Sequence, residues 1–166
     1  MSGDGDGWVN CTCGRRHWGL NGAAGLLIIK EDSVLLQHRS PTSHNGDTWG
    51  LPGGARDSHE DAIEAALREA HEEAGVEPRM VEVLSIEKED HGNWAYDTVI
   101  AIALPGITAY AANHESLEIR WVRFDQVAGL NLHPSFAKAW PKFLVSIAKS
   151  LALRAKSDNV TDLASE

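Results

Sequence analysis

Cysteine is nearly missing from this chain of 166 residues: Cys11 and Cys13 are the only two, with one residue between them. That excludes a disulfide framework as the source of stability. No run of 18 apolar residues occurs, so no membrane-spanning helix is expected and no membrane partner is implied. The N-terminal MSGDGDGWVNC lacks a basic stretch followed by an apolar one, so no secretory signal is read and a cytoplasmic location is expected. Basic charge is scarce too. Fifteen Lys and Arg stand against 24 Asp and Glu, a formal net charge of −9. A nucleic-acid polymer would need a basic face, which this balance does not supply. A small polyanion stays open as substrate if metal ions neutralise it locally. Internal repeats, low-complexity tracts and linkers are also lacking.

What is present suffices for one globular domain, with 43% apolar and 23% charged residues. Cys11, Cys13 and His17 form C-x-C-x3-H, three soft ligands in seven residues. A closed structural zinc site takes four ligands at other spacings. The pair is therefore read as reduced thiols in an N-terminal segment packed on the domain, with metal binding as the alternative.

Along the chain, residues 1–10 are rich in Gly and Asp and read as loose. AAGLLIIK (23–30) and SVLLQHR (33–39) are strand-length apolar runs joined by a turn at Lys30-Glu31-Asp32, hence a hairpin. SPTSHNGDTWGLPGG follows as a long loop dense in turn formers, and such loops usually bind something. A helix comes next, with Asp57 or Ser58 as its cap and Gly75 in the left-handed position after it. Ile63, Ala66, Leu67, Ala70 and Ala74 give its buried stripe. MVEVLSIE (80–87), YDTVIAIAL (96–104) and LEIRWVRF (117–124) read as strands, the second apolar enough to be central. A last helix starts at His133-Pro134, is expected to kink or split at Pro141, and frays from Ser157. The order β-β-loop-α-β-β-β-α predicts an α/β fold, a mixed sheet between helices.

The first helix breaks a rule. Its last two turns carry Glu69, Glu72 and Glu73 within an arc of about 100°. A helix C-terminus favours cations. Like charges at i,i+3 and i,i+4 cost a further few tenths of a kcal/mol per pair, roughly. A solvated acidic face is the ordinary reading of a Glu-rich helix, but Arg68 and the position just before Gly75 weigh against it. A divalent cation with hard oxygen ligands resolves the conflict.

Gly54, Glu60, Arg68, Glu69, Glu72, Glu73, Gly75 and Val76 match G-x5-E-x7-R-E-U-x-E-E-x-G-U, with Ala70 as the apolar U. This segment resembles the Nudix box. Arg39 at the hairpin's end, WGLPGG before the helix and ESLEIRWV after it are similar to the MutT-like branch of Nudix hydrolases, over roughly residues 20–145. GDGDGWV and HWGLNGAAGLL are similar to actinobacterial members tied to oxidised-nucleotide clean-up. The resemblance implies the Nudix fold, an α/β/α sandwich, over residues 20–156. Residues 1–19 would then be an N-terminal extension and residues 157–166 a flexible tail.

It also implies a reaction: a nucleoside diphosphate linked to a further group is hydrolysed at a P–O–P bond with Mg2+ or Mn2+. Glu69, Glu72 and Glu73 would bind the metal, with the Gly53 carbonyl as a backbone ligand. Arg68 would orient the carboxylates, paired with Glu60. Glu69 is the first candidate for general base and Glu115 the second, against plain solvent exposure for the latter. Arg39 would contact phosphate, since its planar fork suits phosphate oxygens. Leu51 in the lead-in, Trp94 and Tyr96 as stacking aromatics, and His133, with Asn131 beside it, would contact the rest of the nucleotide. His38, His44, His59 and His71 receive no role. The implied substrate is a small nucleotide such as 8-oxo-dGTP. ADP-ribose, a dinucleoside polyphosphate or a nucleotide sugar is the alternative. A binding module that does not cleave is a further reading, disfavoured because every box carboxylate is kept. The acidic balance disfavours mRNA decapping.

Overall fold

The computed structural model describes residues 3–164, without the side chains of 161–164. A mixed sheet of seven strands forms its middle layer. Ala23–Lys30 (β3) runs through the centre, pairing in parallel with Ala95–Ala103 (β8) and antiparallel with Ser33–Arg39 (β4). β8 also pairs with Val81–Asp90 (β7), and β4 with Ser116–Arg123 (β9), both antiparallel. β3 and β8 are thus flanked on both sides, as their continuous apolar runs require. The predicted hairpin and three later strands are all present, each within a few residues of its expected ends. Glu31 turns the hairpin with a φ of 54°.

Alternation along β3 splits the core in two. Ala24, Leu26 and Ile28 face Ala62–Ala74 (α1) and pack on Ala65, Ala66, Ala70 and Ala74. Leu27 and Ile29 face Pro134–Ala164 (α3), meeting Phe136, Trp140, Phe143 and Ile147. The result is the expected α/β/α sandwich. Ile63 and Leu67 sit at the edge of the α1 stripe, only partly buried, and Ala65 takes a central place in it.

Four expectations need correction. The long loop is not structureless: Trp49–Gly50 (β5) pairs with β4, and Gly53–Ala55 (β6) pairs with the start of β3. The N-terminal segment is not loose from residue 3 onward, and Met1 and Ser2 lie outside the described residues. Trp8–Asn10 (β1) and Arg16–Trp18 (β2) form a hairpin. Gly5 ties it to the core, its N–H donating to Asp57 and its carbonyl accepting from Leu20. α3 runs unbroken through Pro141. Pro141 and Ala137, whose carbonyl loses its helical donor, are both exposed, so water can satisfy that carbonyl. α3 also continues past Ser157 to Ala164, with an Arg154–Asp158 ion pair at 3.3 Å across that point. Among the described residues no helix is long and apolar enough to cross a membrane.

Candidate active site

α1 begins one turn later than its sequence suggests. Asp57 and Ser58 are engaged elsewhere, Asp57 by Gly5 and Ser58 by Asp4. Asp61 caps instead, accepting from the Glu64 N–H at 2.8 Å while Glu64 accepts from the Asp61 N–H at 3.2 Å. At the other end Gly75 takes the left-handed conformation, φ 65°. The carbonyls left over there are not solvated. Tyr110 N–H donates to Ala74 O at 2.9 Å, Ala112 N–H to Glu73 O at 3.1 Å, and the Ser116 hydroxyl to Glu73 O at 2.9 Å. The segment before β9 is thereby laid over the helix terminus, and this brings Glu115 to Glu69 and Glu73.

Carboxylate oxygens of Glu69, Glu73 and Glu115 all lie within 4.8 Å of one another. Glu73 is 2% exposed. Gln37 on β4 donates to its Oε2 at 2.5 Å and to Ser116 Oγ at 2.8 Å, while Glu73 Oε1 is buried without a hydrogen-bond partner. Burial, then the neighbouring Glu69 and Glu115, push the Glu73 carboxyl well above its ordinary range. Burial also raises Glu69, against the pull of Glu73 and Arg68. Both carboxyls are thus pushed towards the uncharged form, Glu73 further than Glu69, and a cation among them would relieve this.

Arg68 fastens the outer side. Its guanidinium donates to both oxygens of the buried Glu60 (2.7 and 2.9 Å), to Glu69 (2.9 Å), to Glu72 (3.4 Å) and to the Ala55 carbonyl (3.0 Å). Glu72 stays at the more open rim and outside the tight cluster. A Cβ on Gly54 would come within 2.6 Å of Glu69 Oε1, so any side chain there would push that carboxylate aside. Gly53, on the same strand, abuts Ala24 O and the Tyr96 hydroxyl just as closely.

The donor set fits a hard divalent cation: clustered carboxylates and an unpartnered buried oxygen among them. The NUDIX domain family model matches residues 19–143. A Mycobacterium tuberculosis protein named "Putative 8-oxo-dGTP diphosphatase 3" is 47% identical over 153 residues, 86% of this chain and 70% of that protein. A Bifidobacterium longum "Nucleoside triphosphate pyrophosphatase/Nudix hydrolase fusion protein" is 47% identical over 84% of this chain, which spans 31% of the fusion. The crystal structure of a Nudix hydrolase from M. smegmatis, RenU, superposes with a TM-score of 0.79 at 46% identity, covering 87% of this chain and 96% of that one. The chain is a Nudix hydrolase. Enzymes of this family need a divalent cation, and the cluster at the end of α1 is suited to one.

The remaining expected site residues of this Nudix hydrolase divide into two groups. Arg39 and His133 face each other across the loop after β4. Arg39 donates to His44 O at 2.9 and 3.3 Å, and His133 Nε2 lies 3.2 Å from Asn45 Nδ2. His133 Nδ1 accepts from the Ser135 N–H at 3.2 Å. Burial, with Arg39 and His44 adding positive charge, lowers His133 to about 4, so its ring is neutral. Asn131 donates to Asp47 O at 3.3 Å in the same region.

The second group is differently placed. Leu51 is buried in the core under α3. The Tyr96 hydroxyl is wedged against Gly25 and Gly53 beneath the carboxylates, its phenol raised by burial and then by Glu73. Trp94 already has a stacking partner, His17, at 4.1 Å and 9°, and its Nε1–H donates to Gly19 O at 3.0 Å. Gln37 and Ser116 were missed by sequence reasoning. A lone glutamine between buried leucines and a paired residue in SVLLQHR was the available signal for Gln37: a buried amide needs a partner. Ser116 gave none.

Proposed function

We propose that this Nudix hydrolase cleaves an oxidised deoxynucleoside triphosphate such as 8-oxo-dGTP, in the cytoplasm, with Mg2+ (or Mn2+) held by Glu69, Glu72, Glu73 and the Gly53 carbonyl. The unpartnered Glu73 Oε1 among three carboxylates carries the metal reading. The name borne by the mycobacterial relative, aligned over most of both chains, supports the substrate class.

Bound there, the ion would draw charge from the phosphate oxygens and acidify the attacking water. Glu69, less buried than Glu73, would accept the water proton as the P–O–P bond breaks. Glu115 is the second candidate for that task. Arg68 keeps Glu69 and Glu72 aimed inward while its own charge is absorbed by Glu60. Arg39 would turn from the His44 carbonyl to a phosphate oxygen, and His133 would meet the base. The net charge of −9 favours a small nucleotide over a polymer.

Phosphate release from 8-oxo-dGTP, unmodified NTPs, ADP-ribose and diadenosine polyphosphates, each with Mg2+, decides the matter. The oxidised nucleotide should show the highest kcat/KM. If ADP-ribose or a dinucleoside polyphosphate outruns it, the substrate reading fails and the metal reading survives.

A further inference from the structure

Three soft ligands converge at the far end of the N-terminal hairpin, in a place that hydrolysis does not use. The turn between β1 and β2 closes with the Cys11 N–H on Arg15 O (2.9 Å) and the Gly14 N–H on Cys11 O (3.0 Å), Gly14 having φ +88°. This fold of the turn gathers Cys11 Sγ, Cys13 Sγ and a His17 ring nitrogen within 4.8 Å of one another. Cys13 Sγ and His17 Nε2 are 3.2 Å apart. With Zn–S near 2.3 Å and Zn–N near 2.0–2.1 Å, a tetrahedral ion needs ligand atoms roughly 3.5–3.8 Å apart. Small side-chain rotations reach that.

The surroundings are already set for such an ion. The His17 ring is held flat against Trp94, and Trp94 is fixed by Gly19 O. Thr12 N–H donates to Asn93 Oδ1 at 2.8 Å, while the Cys11 thiol donates to His91 O at 3.2 Å, a bond it would give up on losing its proton to the ion. Gly92, at φ +112°, has no room for a side chain against Thr12, so loop and turn are fitted to each other.

We propose that Cys11, Cys13 and His17 bind one Zn2+, with water as the fourth ligand, and that the ion locks the hairpin turn in the shape that lets Thr12 and His17 rest on the loop leading into β8. Sulfur ligands separate this site from the hard carboxylate cluster: Zn2+ is favoured here and Mg2+ there. Cys13 is exposed, which gives the ion a way in and leaves the fourth position open to water.

The test uses the full chain, reduced and stripped with chelator, then titrated with Co2+ in excess Mg2+ so that the carboxylates stay occupied. One Co2+ per chain should bind with a thiolate charge-transfer band and the intense visible bands of a tetrahedral site, and Zn2+ should displace it. Cys13→Ser, altered at an exposed position, should fold normally and lose at least half of the charge-transfer intensity. Glu73→Gln should keep all of it. With Mg2+ kept in excess, withdrawing Zn2+ with a zinc-selective chelator should lower the Tm of the wild type and leave that of Cys13→Ser unchanged. A wild type without a thiolate band, an undiminished band in Cys13→Ser, or a Cys11–Cys13 disulfide in the native protein would each overturn the proposal.

Discussion

Glu73 at the end of α1 is gripped from β4 by Gln37 and from the segment before β9 through Ser116, and it is 2% exposed. Arg39, at the end of β4, is held by one loop carbonyl, and His133 opposite it by an exposed asparagine and one backbone N–H. The first region is fixed by elements far apart in sequence that can shift only together. The second is fixed by bonds that a ligand can exchange one at a time. A bond-breaking site gains from preorganisation, because ligands held in place need not reorganise during reaction. A recognition surface built from single contacts can change its preference by a few substitutions. On the roles proposed above, the contrast would separate the bond-breaking chemistry from an adjustable choice of nucleotide.

Breaking the rigid side should have the largest effect. Glu73→Gln keeps shape and hydrogen-bonding capacity but removes the charge on the buried oxygen. Turnover with Mg2+ should fall by more than about a hundredfold, the upper end of what losing a mere supporting residue costs. Stability without metal should not fall. Steady-state kinetics and thermal unfolding read the two, and near-normal kcat would defeat the assignment of Glu73 as a ligand. Gln37→Leu comes next. It touches neither metal nor substrate, yet strips Glu73 Oε2 of its donor. Activity at limiting Mg2+ should drop by about 10–100-fold and recover in part as Mg2+ is raised. No recovery would mean that Gln37 does more than position Glu73.

The same contrast explains what could be read in advance. Arg68, Glu69, Glu72 and Glu73 were legible because their spacing is local: one helix brings them together whatever the rest of the chain does. The central hairpin was legible because its two strands are long and apolar. Glu115 was placed by resemblance alone, since only the capping of α1 by Tyr110, Ala112 and Ser116 carries it to the cluster. Asp57 or Ser58 was the expected cap, but Asp57 is taken by Gly5, 52 residues upstream, and Ser58 by Asp4, which leaves the cap to Asp61. β1, β2, β5 and β6 have three residues or fewer, too short for any period to show. The stacking of His17 on Trp94 joins segments far apart in the chain, so no local pattern shows it.

Smaller effects sharpen the comparison from the adjustable side. Arg39→Ala should raise KM for the preferred nucleotide roughly tenfold or less, with kcat nearly kept, because the guanidinium must first leave His44 O. A collapse of kcat there would place Arg39 with the reacting groups instead.

The smallest signals are two pH dependences of opposite sign, measured as denaturant midpoints on chelated protein. Glu73 is raised when folded, so the native state holds a proton that the unfolded chain releases. Its contribution is complete below the ordinary carboxylate range and fades as pH rises beyond it. His133 is depressed from 6.5 to about 4, so its contribution is complete above 6.5 and fades as pH falls towards 4. Glu73→Gln should flatten the loss on the alkaline side, and Mg2+ should do the same to the wild type by replacing the proton. His133→Gln should flatten the loss on the acid side and leave the Mg2+ effect untouched. If one substitution removed both slopes, the two regions would be a single coupled unit, and the separation of fixed chemistry from replaceable recognition would not hold.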